Sequence, residues 1–200
     1  MGCGAPLGNC GGGLWSEDVP IGTKVQDPRR FVSDLNPYLH HAFTYGSARR
    51  AGMNPWDALI FANRVVWVDF LRHSQEYSAT YTHWHSLGGS ANGSRETCGQ
   101  AYAGTVKQLR GSMDAALKGD ITAAAMSVHT IQDSCSAAHQ YGDFSRGYGG
   151  LLGALAHLGA DLDPGDFQAS ASTEQFLRDL SKGTFGPPAS YLSPPPGACR

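Results

Sequence analysis

From Phe31 onward, apolar residues return every three or four positions, the period of a helix that buries one face. Leu39, Phe43, Ala48 and Ala51 keep that spacing behind two residues able to cap a helix, Ser33 and Asp34, and Gly52 breaks it. Asn54-Pro55 opens a second run, with proline at the first helical position and Ala58, Leu59, Ala62, Val65, Val66 and Val68 leading to Asp69. Its apolar positions are nearly continuous, which predicts a helix buried on most sides. A carboxylate at the end of such a helix needs a partner, because an unpaired buried charge is costly. A third helix is expected from about Arg95 to Lys118, carrying Tyr102, Val106, Leu109, Met113 and Leu117 and ended by Gly119. Asp120 caps a fourth that runs to about Tyr141; a short helix over Leu151 to Ala160 and an amphipathic one from about Thr173 to Leu180 follow.

Between Arg72 and Ser94 the chain is polar and aromatic, and it reads as a loop folded over something. No strand alternation and no repeat stands out. These patterns predict an all-α, single-domain helical bundle over 31–183, behind a Gly/Pro-rich lead-in (1–30) and before a Pro-rich tail of little order (184–200). Two hundred residues suffice for one such domain.

The fourth helix changes the picture. Along Met126–Gln140, His129 and Asp133 are one turn apart and share a face, and His139 follows six residues later, near the expected helix end before Gly142. Either histidine alone fits an ordinary buried residue satisfied by backbone groups. The pairing recurs, however, at His157 and Asp161, and His40, His41, Asp69, His83 and His85 lie upstream. Imidazole with carboxylate is a ligand set that zinc takes.

Composition narrows the options further. Charged residues make up 16% of the chain, 26 residues are glycine, and the formal net charge is −2. That charge offers no bulk attraction to polyanions, although a local basic groove is compatible with it. No apolar run is long enough to span a bilayer. Cys3, Cys10, Cys98, Cys135 and Cys199 are odd in number and irregularly spaced, so neither a disulfide framework nor a paired-cysteine zinc motif is expected; Cys135 reads as a small buried hydrophobe. The first ten residues carry no basic start and no apolar stretch of signal-peptide length, and Pro6 stands where a myristoylation signal takes Ser or Thr. The expectation is a protein secreted or delivered by a non-classical route, or one excised from a larger polypeptide, and otherwise a cytoplasmic one.

The spacing His129-x3-Asp133-x5-His139 followed by His157-x3-Asp161, with Asp69 some fifteen residues before His83 and His85, resembles the zinc-dependent phospholipase C and tri-zinc single-strand nuclease superfamily. The segment from His40 through Thr44, Ala48 and Gly52 to Val68-Asp69 looks like bacterial domains of that superfamily, some of them toxin-like, and the resemblance covers roughly residues 38–163. It implies two to three zinc ions. The first would be held by Asp69, by His85 or His83, and by His129 and Asp133. The second would be held by His139, His157 and Asp161, with Asp163 as the substitute. The third would share Asp133 as a bridge and add His40 or His41. In the family this last metal also takes the amine of an N-terminal Trp; Trp15-Ser16-Glu17-Asp18 looks like that start, yet fourteen residues precede it.

The activity implied is zinc-dependent phosphodiester hydrolysis, with Asp133 bridging metals and Asp69 orienting or deprotonating the attacking water. The substrate is a phospholipid headgroup or single-stranded nucleic acid. Tyr77, Tyr81, Trp84, Tyr141, Phe144 and Tyr148 are available to stack on bases or lie at a lipid interface, or simply to pack. The absence of a Lys/Arg cluster near the ligands favours phospholipid and peripheral membrane contact. The reading from another class is a metal-binding interaction domain without turnover.

Overall fold

The protein is described by a computed structural model over residues 37–70, 78–91, 94–136, 139–142 and 165–197. Helices α1 (Pro37–Arg50) and α2 (Pro55–Trp67) form a hairpin, and a 3-10 turn, Val68–Phe70, continues α2. A four-residue helix, α3 (Ala79–Thr82), runs into a second 3-10 turn, His83–His85. Two-residue strands β1 (Ser90–Ala91) and β2 (Ser94–Arg95) pair antiparallel, an element absent from the hydrophobic pattern because two residues are too few to alternate. Then come α4 (Cys98–Ala116), α5 (Ile121–Cys135), α6 (Gly165–Lys182) and a last 3-10 turn, Pro188–Ser190. The described residues are therefore mainly helical, in line with an all-α chain.

Local chemistry accounts for most boundaries. Asn54 caps α2 by accepting from the Asp57 amide at 2.9 Å, with Pro55 at the first position as expected. Thr97 and Gln100 close a capping box at the start of α4. The Asp120 carboxylate caps α5, accepting from the amides of Thr122 and Ala123. Gly52 and Gly119 take positive φ (99° and 93°) just past α1 and α4, where a side chain would be strained.

Helix α5 is the axis of the bundle, packed against α4, α6 and α2. From Ala123 to Cys135 every residue except Met126 is buried. A helix enclosed on all sides needs small residues where its neighbours come close, and Ala123, Ala124, Ala125 and Ser127 supply them. Val128 and Ile131 meet Phe61, Val65, Leu109, Met113, Phe176 and Leu177 in the apolar core. Burying each of the larger of these contributes about 1.5–3 kcal/mol.

Three expectations need correction. The fourth helix stops at Cys135 rather than near Tyr141: Ser136 is extended (φ −75°, ψ 131°), and Gln140 and Tyr141 have positive φ, so His139 sits on a turn and not on the helix. The last helix is longer than its amphipathic stretch, spanning Gly165–Lys182. The tail is not loose over its described part. Tyr191 and Leu192 are buried in the core, where the Tyr191 ring meets Phe176 and Phe185 edge-on. The Tyr191 hydroxyl donates to Asp179 at 2.8 Å and accepts from the Gly186 amide at 2.9 Å. Proline-rich composition predicts the absence of helix, and it does not exclude aromatic anchoring.

Cys98 is disulfide-bonded, which irregular cysteine spacing did not single out; the second sulfur lies outside the described residues. Cys135 is free and buried, and burial pushes its thiol up to about 11, so it behaves as an inert hydrophobe. No helix among the described residues is long and apolar enough to cross a membrane.

Candidate metal centre

Five of the histidines and carboxylates singled out in the sequence meet beside α5. Asp133 and His129 come from that helix, His40 from α1, Asp69 from the 3-10 turn after α2, and His85 from the turn after α3. The one-turn spacing puts His129 Nε2 3.2 Å from Asp133 Oδ2. His85 Nδ1 lies 3.1 Å from the same oxygen and 3.1 Å from His129 Nε2. Asp69 Oδ1 is 3.4 Å from His129 Nε2 and 3.7 Å from His85 Nδ1. On the other side His40 Nε2 is 3.1 Å from Asp133 Oδ1, and its ring stacks on His129 with centroids 4.5 Å apart. His40, His129 and Asp133 are buried, as is His85, whereas the Asp69 side chain is 17% exposed and forms the rim.

These groups form two overlapping ligand sets, His40/His129/Asp133 and Asp69/His85/His129, with the donor atoms of each within 4.8 Å of one another. Two observations test whether a cation fits. Zinc bonds of about 2.0–2.1 Å in a tetrahedron place neighbouring ligand atoms about 3.3–3.4 Å apart. The triangle of His85 Nδ1, His129 Nε2 and Asp133 Oδ2 has edges of 3.1, 3.2 and 3.1 Å, with Asp69 Oδ1 next to it. Second, protons alone satisfy this arrangement badly. His85 Nδ1 and His129 Nε2 face each other as well as Asp133, so if both carry protons those protons crowd, and if one is bare the carboxylate loses a donor. His129 Nδ1, moreover, is buried with no hydrogen-bond partner among the described residues. A cation between the lone pairs removes the first conflict, and the donor set suits zinc.

The electrostatics follow from the crowding. Burial alone would lower the pKa of His40, but Asp133 beside it, with help from Asp69 and the Gln132 hydrogen bond, pushes it up to about 10. His85 is raised in the same way, against burial, by Asp133 and Asp69. Burial works against the Asp133 carboxylate, yet His129, His139 and His40 hold it well below the usual carboxylate range. The centre is a place where the fold keeps negative charge in the interior and surrounds it with imidazoles.

The backbone around His85 is fixed from several directions. Ser86 is left-handed (φ 51°), and its hydroxyl donates to the Thr130 carbonyl on α5 at 2.9 Å. The Thr130 hydroxyl returns a bond to the Trp84 carbonyl. His139 Nδ1 donates to the His85 carbonyl at 2.6 Å and lies 3.4 Å from Asp133 Oδ2. His139 thus sits at the edge of the centre, its ring held by the segment that presents His85.

The remaining candidates lie elsewhere. His83 turns away from the centre: its Nε2 meets both oxygens of Glu96 (3.1 and 3.0 Å), and its ring lies where a side chain on Gly104 would have to go. His41 lines an apolar surface cavity of about 390 Å³ with Tyr45, Pro55, Trp56 and Leu59. His157, Asp161 and Asp163, with Trp15, Tyr77, Phe144 and Tyr148, lie outside the described residues. Of the aromatic rim, Tyr81 and Trp84 pair edge to face and are half-buried, whereas Tyr141 is in the interior, its hydroxyl donating to the Ser193 carbonyl. Gln132, Glu96 and Ser86 escaped sequence reasoning. They carry no ligand signature, and only the position of Gln132 between His129 and Asp133 on the buried helix marks it.

Fold and site together define a helical domain with a buried His/Asp centre that could bind a metal. Comparison of the chain with protein-family models, curated proteins and solved structures finds no match.

Proposed function

We propose that this chain is a zinc-dependent phosphodiester hydrolase. The observation that carries the reading is the overlap of two ligand sets on His129, with Asp133 in contact with members of both and Asp69 as the partly exposed member at the rim. A purely structural metal site encloses its ion with four side chains; a hydrolytic one leaves a position open. Zinc held there supplies Lewis acidity toward a phosphoryl oxygen and makes water acidic enough to ionise near neutral pH. Asp133 lies between His40 on one oxygen and His85 and His129 on the other, which suits a bridging carboxylate. Asp69 faces the centre through Oδ1 from a side chain that is 17% exposed, and its role is to orient the attacking water and take its proton.

For the substrate, a phospholipid headgroup is the favoured reading. A formal net charge of −2 offers a polyanion no bulk attraction. Trp56 (69% exposed) and Trp67 stand out on α2, the helix leading to Asp69, and indole rings favour the headgroup level of a membrane. Single-stranded nucleic acid is the second reading, supported by the half-buried Tyr81–Trp84 pair beside the His85 turn, a platform on which a base can stack.

Elemental analysis together with hydrolysis of bis-p-nitrophenyl phosphate tests the proposal. Two to three zinc per chain, turnover abolished by chelator and restored by zinc, and loss of turnover in Asp69→Asn with most metal kept are expected. Phosphatidylcholine and single-stranded DNA then separate the two substrates. Full zinc loading with no turnover on any of the three would overturn the hydrolase reading and leave a metal-binding interaction domain.

A further inference from the structure

We propose that Gln132 is a positioning residue of the centre, whose carboxamide fixes the flip and tautomer of His40 so that Nε2 is the nitrogen offered to the ion. The inference rests on the reading that the centre holds zinc. His40 stacks on His129, which sets the plane of its ring but is indifferent to a half-turn about the Cβ–Cγ bond. Such a turn would exchange the ring nitrogens for carbons and aim the wrong atom at Asp133. The group that distinguishes the two flips is Gln132: its Oε1 accepts from His40 Nδ1 at 2.7 Å, so Nε2, 3.1 Å from Asp133 Oδ1, is the nitrogen that can give up its proton to an ion.

The carboxamide is itself held against flipping. Its Nε2 donates to Thr44 Oγ1 on α1 at 2.9 Å and to Thr173 Oγ1 on α6 at 3.3 Å. Gln132 and both threonines are buried. A buried amide turned the wrong way would set its NH2 against the ring N–H and leave donors unmatched, an arrangement that costs about 1–3 kcal/mol per unsatisfied group. Three helices thus converge on one amide, and the amide passes their geometry to a single imidazole. Ligating histidines commonly donate their second nitrogen to an oxygen, and loss of that oxygen weakens metal binding by about 10–100-fold.

Zinc affinity, measured by competition with a chromophoric chelator on folded protein, separates positioning from mere packing. Gln132→Leu is expected to weaken binding by about 10–100-fold and to alter the visible spectrum of the cobalt-substituted protein. Gln132→Glu keeps an oxygen toward His40 Nδ1, and Thr173→Val leaves the Thr44 bond in place; both are expected to stay within about threefold of wild type, although Thr173→Val lowers the melting temperature. Should Gln132→Leu fail to fold, Gln132→Asn carries the same expectation, because its shorter side chain withdraws the oxygen from the ring. Equal affinity and an unchanged cobalt spectrum in whichever of the two folds would overturn the inference while leaving the zinc centre standing. A wild-type chain that binds no zinc would overturn both.

Discussion

His83 and His85 are two residues apart on one 3-10 turn, each against a carboxylate, and they do different things. His83 and Glu96 form a closed pair: both Glu96 oxygens face one ring nitrogen, and Oε2 also accepts from the Gly89 amide at 2.9 Å. Both Glu96 oxygens have a donor, and the pair ties the His83–His85 turn and Gly89 to the segment before α4. Around Asp133 the count does not close. Ring nitrogens of His40, His85, His129 and His139 lie within 3.1–3.4 Å of its two oxygens, and two of them also face each other. A histidine beside a carboxylate is therefore structural where the protons can be allotted. It becomes a candidate site where lone pairs crowd beyond what protons can satisfy.

The largest effect that separates the two regions is on metal binding. Asp133→Ala removes the oxygens facing all four rings and is expected to abolish zinc binding, a loss beyond the 10–100-fold that removal of a supporting group causes. Glu96→Gln is expected to leave zinc affinity within about threefold. Equilibrium dialysis on both variants, with circular dichroism to establish folding, makes the contrast; equal losses would erase the distinction drawn between the pairs. Next in size is the response of stability to the ion. At a free zinc concentration a hundredfold above the dissociation constant, the wild-type fold is expected to gain about 2.7 kcal/mol, reversed by chelator, and Asp133→Ala to gain nothing.

Acidity sharpens the same comparison. In the metal-free protein His40 is pushed up to about 10, so it holds a proton at neutral pH that a zinc ion bound there would have to displace. Its raised pKa favours the metal-free fold fully below the ordinary histidine value, and this contribution is lost as pH rises through about 10. Zinc affinity is accordingly expected to rise with pH, about tenfold per unit for each proton displaced, and to level off above about pH 10. Calorimetric titrations in buffers of different ionisation enthalpy measure the protons released; a count of zero would contradict the charge state assigned to His40.

Much of the frame was legible in the chain because local rules wrote it. Asn54-Pro55 and Asp120 each mark a helix start through a side chain that satisfies nearby amides, whereas the Thr97–Gln100 capping box, which starts α4 at Cys98 rather than near Arg95, went unread. Ligand spacing placed His129 and Asp133 on one face for the same local reason. The choice of His85 over His83, and of His40 over His41, was not legible, because it depends on chain far away: Gly104 leaves room for the His83 ring, and Gln132 takes hold of His40. The burial of Tyr191 in a proline-rich tail is likewise decided by Phe176 and Phe185, not by its neighbours in sequence.

The smallest effect tests the closed pair on its own. Gly104 faces the His83 ring so tightly that an added methyl would overlap it, and the ring must swing out or the α4 backbone must shift. Either way the two bonds to Glu96 lengthen or break. Gly104→Ala is expected to destabilise the fold by about 1–3 kcal/mol, the usual cost of overpacking, even though alanine is the better helix former. Because the His85 carbonyl and Ser86 are tied separately to His139 and Thr130, the displacement stops short of the centre, and zinc affinity is expected to hold within about threefold. Denaturant unfolding gives the first number and chelator competition the second. If the methyl weakened zinc binding as much as it weakened the fold, the His83 pair would be part of the centre after all, and balance of donors and acceptors would no longer be what separates a structural histidine from a ligand.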